Sequence, residues 1–171
     1  MHQIARSLAV LCLLAASAPA ARAADGWGID KEKPVQLEVT VVDVACALGK
    51  ACPSQCGAGK HQLGILTDEG KLIPAVKSAT LFAGAVTELL PYCGKKVFVD
   101  GLLIENPAMT LFFVQNLRDH PDEKWRPAEA FEKEWTAANG KSDEWFRADP
   151  LVKKTIADDG VFGIKGLEPK K

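Results

Sequence analysis

"PVQLEVTVVDV" (34–44) alternates with a period of two: Val35, Leu37, Val39 and Val41 fall on one face, and Gln36, Glu38 and Thr40 fall on the other. That period predicts a half-buried β-strand. A loop rich in Gly, Ala and Lys follows over 45–60, and then "HQLGILTDEGKLIPAV" (61–76) reads as a hairpin turning at Thr67-Asp68-Glu69-Gly70. In "SATLFAGAVTELL" (78–90) the period changes. Leu81, Ala85, Val86 and Leu89 line one helical face, Ser78 is placed to cap it, and Pro91 and Gly94 end it. "KKVFVDGLLI" (95–104) and "MTLFFVQNL" (109–117) read as two more strands joined by the turn "ENPA".

The order is strand, strand, strand, helix, strand, strand. It resembles the OB-fold, a small Greek-key barrel with a helix between its third and fourth strands. The resemblance covers residues 34–118, with Gly101 as the bend that lets a strand curl round a small barrel. The expected fold is therefore mainly β: a five-stranded OB-like barrel with a helix between strands 3 and 4. The resemblance implies ligand binding on the face of strands two and three and at the loops after strands one and four. The segment 45–60, with Cys46, Cys52 and Cys56, occupies the first of these loops.

Residues 119–171 differ in composition. They are rich in charge and carry three of the four tryptophans. Helices are predicted over Ala128–Ala138, over Ser142–Arg147 with Ser142 as cap, and over Pro150–Ala157 started by Asp149. The segment reads as a helical C-terminal extension that packs on the barrel with one apolar stripe per helix. A sharper reading makes Trp125, Trp135, Trp145 and Phe146 the anchors of a partner protein.

The other end reads as an address. Residues 1–23 have Arg6, an apolar run from Leu8 to Ala16, and Ala21-Arg22-Ala23 as an A-x-A site. This is the layout of a secretory signal peptide cut before Ala24. Leu11 and the apolar residues after Cys12 argue against a lipoprotein site there. The run is too short to span a bilayer, and no later stretch is long and apolar enough. The expected location is periplasmic, with secretion as second choice. Removal of 1–23 takes away Arg6 and Arg22 and no acid, so the net charge moves from −1 to −3. That balance lacks the electrostatic footprint of nucleic-acid binding.

Removing Cys12 leaves Cys46, Cys52, Cys56 and Cys93. Three readings compete for them. In the first, an even number in an oxidising compartment forms two disulfides that staple the loop. Four cysteines allow three pairings. If "PSQ" is a helical turn, Cys52 and Cys56 lie within bridging range, leaving Cys46 for Cys93. In the second, "CPSQC" resembles the copper motif of Sco-type copper chaperones, which implies Cys52 and Cys56 as soft sulfur ligands and His61 as nitrogen ligand for Cu(I). Zinc on Cys46, Cys52, Cys56 and His61 belongs to the same class, though the spacing matches no common finger. In the third, Cys52 and Cys56 exchange thiol and disulfide, with Lys50 and Lys60 nearby to favour a thiolate.

The chain has no C-x-x-C-H for covalent haem, no G-x-S-x-G, no H-E-x-x-H and no phosphate loop. Asp43, Asp68 and Glu69 read as capping or solvated acids, and His120 as a solvated side chain. The pattern points to an exported accessory or binding protein rather than a catalyst. Loop 45–61 would be its contact with a small ligand or another periplasmic protein. A copper carrier and a thiol-disulfide redox protein are the alternatives.

Overall fold

The computed structural model describes residues 24–50, 52–78, 84–161, 164 and 167. The leader 1–23 and residues 79–83, including the helical face position Leu81, lie outside them. The alternating segment forms β1 (Glu32–Asp43), in which Val39 and Val41 are wholly buried. It pairs antiparallel with β2 (Leu63–Leu66), which turns through Thr67–Gly70 into β3 (Leu72–Lys77). The other half of β1 pairs with β4 (Lys96–Glu105), which turns back into β5 (Thr110–Arg118). A parallel pairing of β3 with β5 closes the sheet. The result is the expected closed five-stranded OB-like barrel, with α2 (Ala85–Leu89) between the third and fourth strands. Closure leaves no edge within the barrel proper. Its core is built from Val39, Val41, Leu63, Ile65, Ile73, Val97, Val99, Phe112 and Val114, sealed at one end by Leu89 of α2.

Gly101 is the bend the sequence suggested. The ladder between β4 and β5 shifts register between Asp100 and Gly101, leaving Gln115 as the extra residue of a bulge. A Cβ at Gly101 would lie 2.0 Å from the carbonyl oxygen of Phe113, so only glycine admits this approach.

Residues before 34 also pack on the barrel. The outer faces of β4 and β5 carry Leu102, Ile104 and Phe113, residues that alternation turns away from the interior. Residues 24–31 lie across them as a strap. Ala24 is buried there, and Trp27 packs on Phe113 with ring centroids 5.5 Å apart. The carboxylate of Glu32 accepts from the backbone N–H groups of Trp27, Gly28 and Ile29, which pins the strap's return into β1.

The extension is joined to the barrel in its first half. A two-residue strand, β6 (Arg126–Pro127), pairs with β5, and Ala128 beside it is fully buried. Arg126 donates to both the Tyr92 hydroxyl and Asp119. Helix α3 (Ala130–Asn139) then packs near α2, where the buried Glu88 carboxylate accepts from Phe131 N and caps its first turn. The second predicted helix is shorter than expected: α4 covers Trp145–Ala148, and Ser142 does not cap it. The third, α5 (Pro150–Asp159), starts where predicted, because Asp149 accepts from Leu151 N and Val152 N. It does not pack as predicted. Leu151 and Ile156 stay exposed, and no residue of α5 is fully buried.

Candidate functional site

The loop between β1 and β2 is built outward from Asp43. Strand alternation turns residues 39, 41 and 43 inward, so the carboxylate of Asp43 is drawn into the barrel end with Val39 and Val41. There it does two things. Its Oδ1 accepts from Cys46 N and caps α1 (Val44–Gly49), and its Oδ2 lies 2.6 Å from His61 Nδ1. These bonds, the one from Cys46 N first, hold the Asp43 carboxyl below the usual carboxylate range, against the opposing effect of burial. One side chain thus ties the beginning of the loop to its end.

Both disulfides lie in the same loop. Cys46 is bonded to Cys52 and Cys56 to Cys93, with Cα separations of 4.5 and 5.9 Å. The pairing suggested by a helical "PSQ" turn, Cys52 with Cys56 and Cys46 with Cys93, is therefore corrected. The reason is handedness. Residues Gln55, Cys56, Gly57 and Ala58 all have positive φ, so the turn over Ser54–Gly59 coils left rather than right. That turn buries Cys56 toward the barrel, where Cys93 waits beside Val41, and leaves Cys52 on the surface. A left-handed position costs a residue with a Cβ roughly 1–2 kcal/mol. Gly57 lies at the closest point of the turn: a Cβ there would meet His61 Cγ at 2.5 Å.

In this state the copper set implied by "CPSQC" does not fit. Cys52 and Cys56 are not thiolates, each being bonded to a different cysteine, and Nδ1 of His61 is engaged by Asp43. Among the described residues no group of three or more His, Cys, Asp or Glu side chains is placed to hold a metal ion. His120 is exposed, with Asp122 at 3.5 Å.

The loop presents two surfaces. On one side Leu48 of α1 is 74% exposed. On its other flank an open groove of about 840 Å³ runs between the left-handed turn and α2, with Val86, Leu90 and Pro91 along one wall and Lys95 and Glu134 at its rim. The groove borders the Cys56–Cys93 bond. The turn after strand four, 106–109, attaches at the other end of the β1–β4 ladder, as the register from Glu32↔Ile104 to Thr40↔Lys96 shows.

The four aromatics singled out as partner anchors are engaged within the chain. Trp135 is buried and donates from Nε1 to Asp149 Oδ2 at 2.7 Å. Trp145 packs edge-on against Phe131, Trp135 and Phe146. Trp125 stacks on the Arg118 guanidinium, 4.2 Å from its ring centroid. Phe131, Trp135 and Trp145 line a smaller cleft of about 230 Å³. Sequence reading did not find the Asp43–His61 link, although the inward register of residues 39, 41 and 43 was its signal.

No protein-family model matches this chain, and comparison with curated proteins and with solved structures gives no match. Among the described residues no helix is long and apolar enough to cross a membrane.

Proposed function

We propose that the protein is an exported, periplasmic accessory protein that recognises a partner in its own compartment through loop 45–61. The observation that carries this reading is the concentration of constraint in one loop. Two disulfides, a capping carboxylate and a left-handed turn all fix the same segment. Fixing a loop before contact lowers the entropy lost on binding, which is how a rigid surface gains affinity. The exposed Leu48 is an apolar anchor, and the open groove on the loop's other flank suits a peptide or a small ligand. Two disulfides also suit an oxidising compartment. The test is site-specific photocrosslinking in cells, with the probe at Leu48 and, as control, at Met109 on the far end of the β1–β4 ladder. A discrete adduct from position 48 and none from position 109 supports the reading. Equal labelling from both positions, or none from position 48, removes it.

A further inference from the structure

Asp100 is an unusual residue to find buried. It lies mid-strand in β4, on the face that alternation turns away from the barrel interior, yet it is 0% exposed. What covers it is the start of the strap. Ala24 N donates to Asp100 Oδ1 at 3.1 Å, and Asn116 Nδ2 donates to Oδ2 at 3.0 Å. Among the described residues no lysine, arginine or histidine forms an ion pair with it. An ionised carboxylate out of water without a cation is unfavourable, and one amide N–H with one side-chain amide is thin compensation.

Apolar and polar side chains of β4 and β5 surround Ala24. Ala24 is 6% exposed, against Leu102, Ile104 and Phe113. The next residue is clamped from both sides: Asp25 N donates to Gln115 Oε1 at 2.8 Å, and Gln115 Nε2 donates back to Asp25 O at 2.6 Å. The bulge between Asp100 and Gly101 supplies both Gln115 and Asn116 to this site. The sequence adds an independent point: Ala21-Arg22-Ala23 ends at the bond before the nitrogen that faces Asp100. Cleavage there would replace an amide with an α-ammonium group, which offers three N–H donors and the positive charge the carboxylate lacks.

We propose that Asp100, with Gln115 and Asn116, is a receptor for the new N-terminus created by removal of residues 1–23, so that processing completes the fold by forming a buried Ala24 α-ammonium–Asp100 ion pair. This rests on the export reading. Hydrolysis of the Ala23–Ala24 peptide bond by a signal peptidase consumes one water and yields the carboxylate of Ala23 and the amine of Ala24. The receptor makes the cut end part of the core rather than a loose tail.

The experiment uses two full mature chains released from a fusion, one starting at Ala24 and one carrying a single extra methionine before it. We expect the Ala24 chain to melt roughly 10 °C higher. Asp100→Asn should lower the melting point of the Ala24 chain and change that of the extended chain much less. Equal melting points for the two chains, or an equal effect of Asp100→Asn in both, overturns the receptor. Should Asp100→Asn fail to fold, acylation of the α-amine decides: it should be protected in the folded Ala24 chain and react freely in denaturant, and equal reactivity overturns the receptor. Cell fractionation with N-terminal sequencing of the full-length product tests the export reading separately. Export with a start at Ala24 supports it, an unprocessed chain kept inside the cell removes both it and the proposal, and export with a start at another residue removes the proposal alone, whatever the melting points.

Discussion

Asp43 Oδ2 and His61 Nδ1 lie 2.6 Å apart, across the whole length of the loop that separates β1 from β2. The same carboxylate caps α1 through Cys46 N. Asp43→Ala should therefore lower the melting temperature by roughly 3 °C, about the effect of a lost cap. His61→Ala should keep the cap and loosen only the end of the loop. Amide exchange at 57–62 would report this, and unchanged exchange there would show the link to be idle.

The two disulfides should not be equivalent. Cys56–Cys93 spans 37 residues and Cys46–Cys52 spans 6. Loop-closure entropy then gives about 4 kcal/mol for the first and about 2 kcal/mol for the second. Paired alanine substitutions at each bridge, followed by denaturant unfolding, should rank in that order. Access ranks them the other way for chemistry, because Cys52 is exposed and Cys56 is buried. Mild reductant should open Cys46–Cys52 first, as timed alkylation with mass detection will read.

Burial pushes the Glu88 carboxyl up, against the lowering effect of the N–H groups of Phe131 and Ala130. A carboxyl raised in the folded state holds its proton more tightly there than in the unfolded chain. Its contribution to stability is thus present at low pH and declines as pH rises through the folded pKa. Glu88→Gln keeps an acceptor for Phe131 N and should remove that decline, leaving the protein at least as stable at neutral pH. Glu88→Ala loses the acceptor and should cost about 1–2 kcal/mol. Melting curves of the three proteins from pH 4 to pH 8, a range set at about the usual carboxylate value and above, check both expectations.

The extension should divide at Asp149. Truncation after it removes α5, no residue of which is fully buried, and should leave the melting temperature of the barrel unchanged. Truncation after Arg118 removes β6, the buried Ala128 and the hydrogen bond to Glu88, and should destabilise the barrel strongly.

Much of the barrel was legible because one physical rule, alternation, wrote it. Val39 and Val41, the Thr67–Gly70 turn and the Gly101 bend each lie where local pattern put them. The strap was not legible, because Trp27 and Ile29 lie outside any periodic segment and gain meaning only from the apolar outer face of β4 and β5. The disulfide pairing failed for a related reason. Spacing along a chain assumes a hand for the turn, and Gln55, Cys56 and Ala58 take the left-handed region that residues with a Cβ usually avoid. The partner-anchor reading of Trp135 and Trp145 overlooked their packing on each other.

The left-handed turn can itself be checked. Ala58 has φ +50 and is exposed, so Ala58→Gly should stabilise by about 0.5 kcal/mol, the relief of the turn exceeding the added freedom of the unfolded chain. A loss of stability of similar size would mean residue 58 sits elsewhere in φ.

Recognition through loop 45–61 depends most on its oxidised, stapled state. Partial-digest mass spectrometry of the protein taken from its native compartment, with thiols blocked at lysis, reads that state directly. We predict Cys46 linked to Cys52, Cys56 linked to Cys93, and no thiol that Cu(I) protects from alkylation. A Cys52–Cys56 bridge, or two thiols on Cys52 and Cys56 that Cu(I) protects, would contradict it.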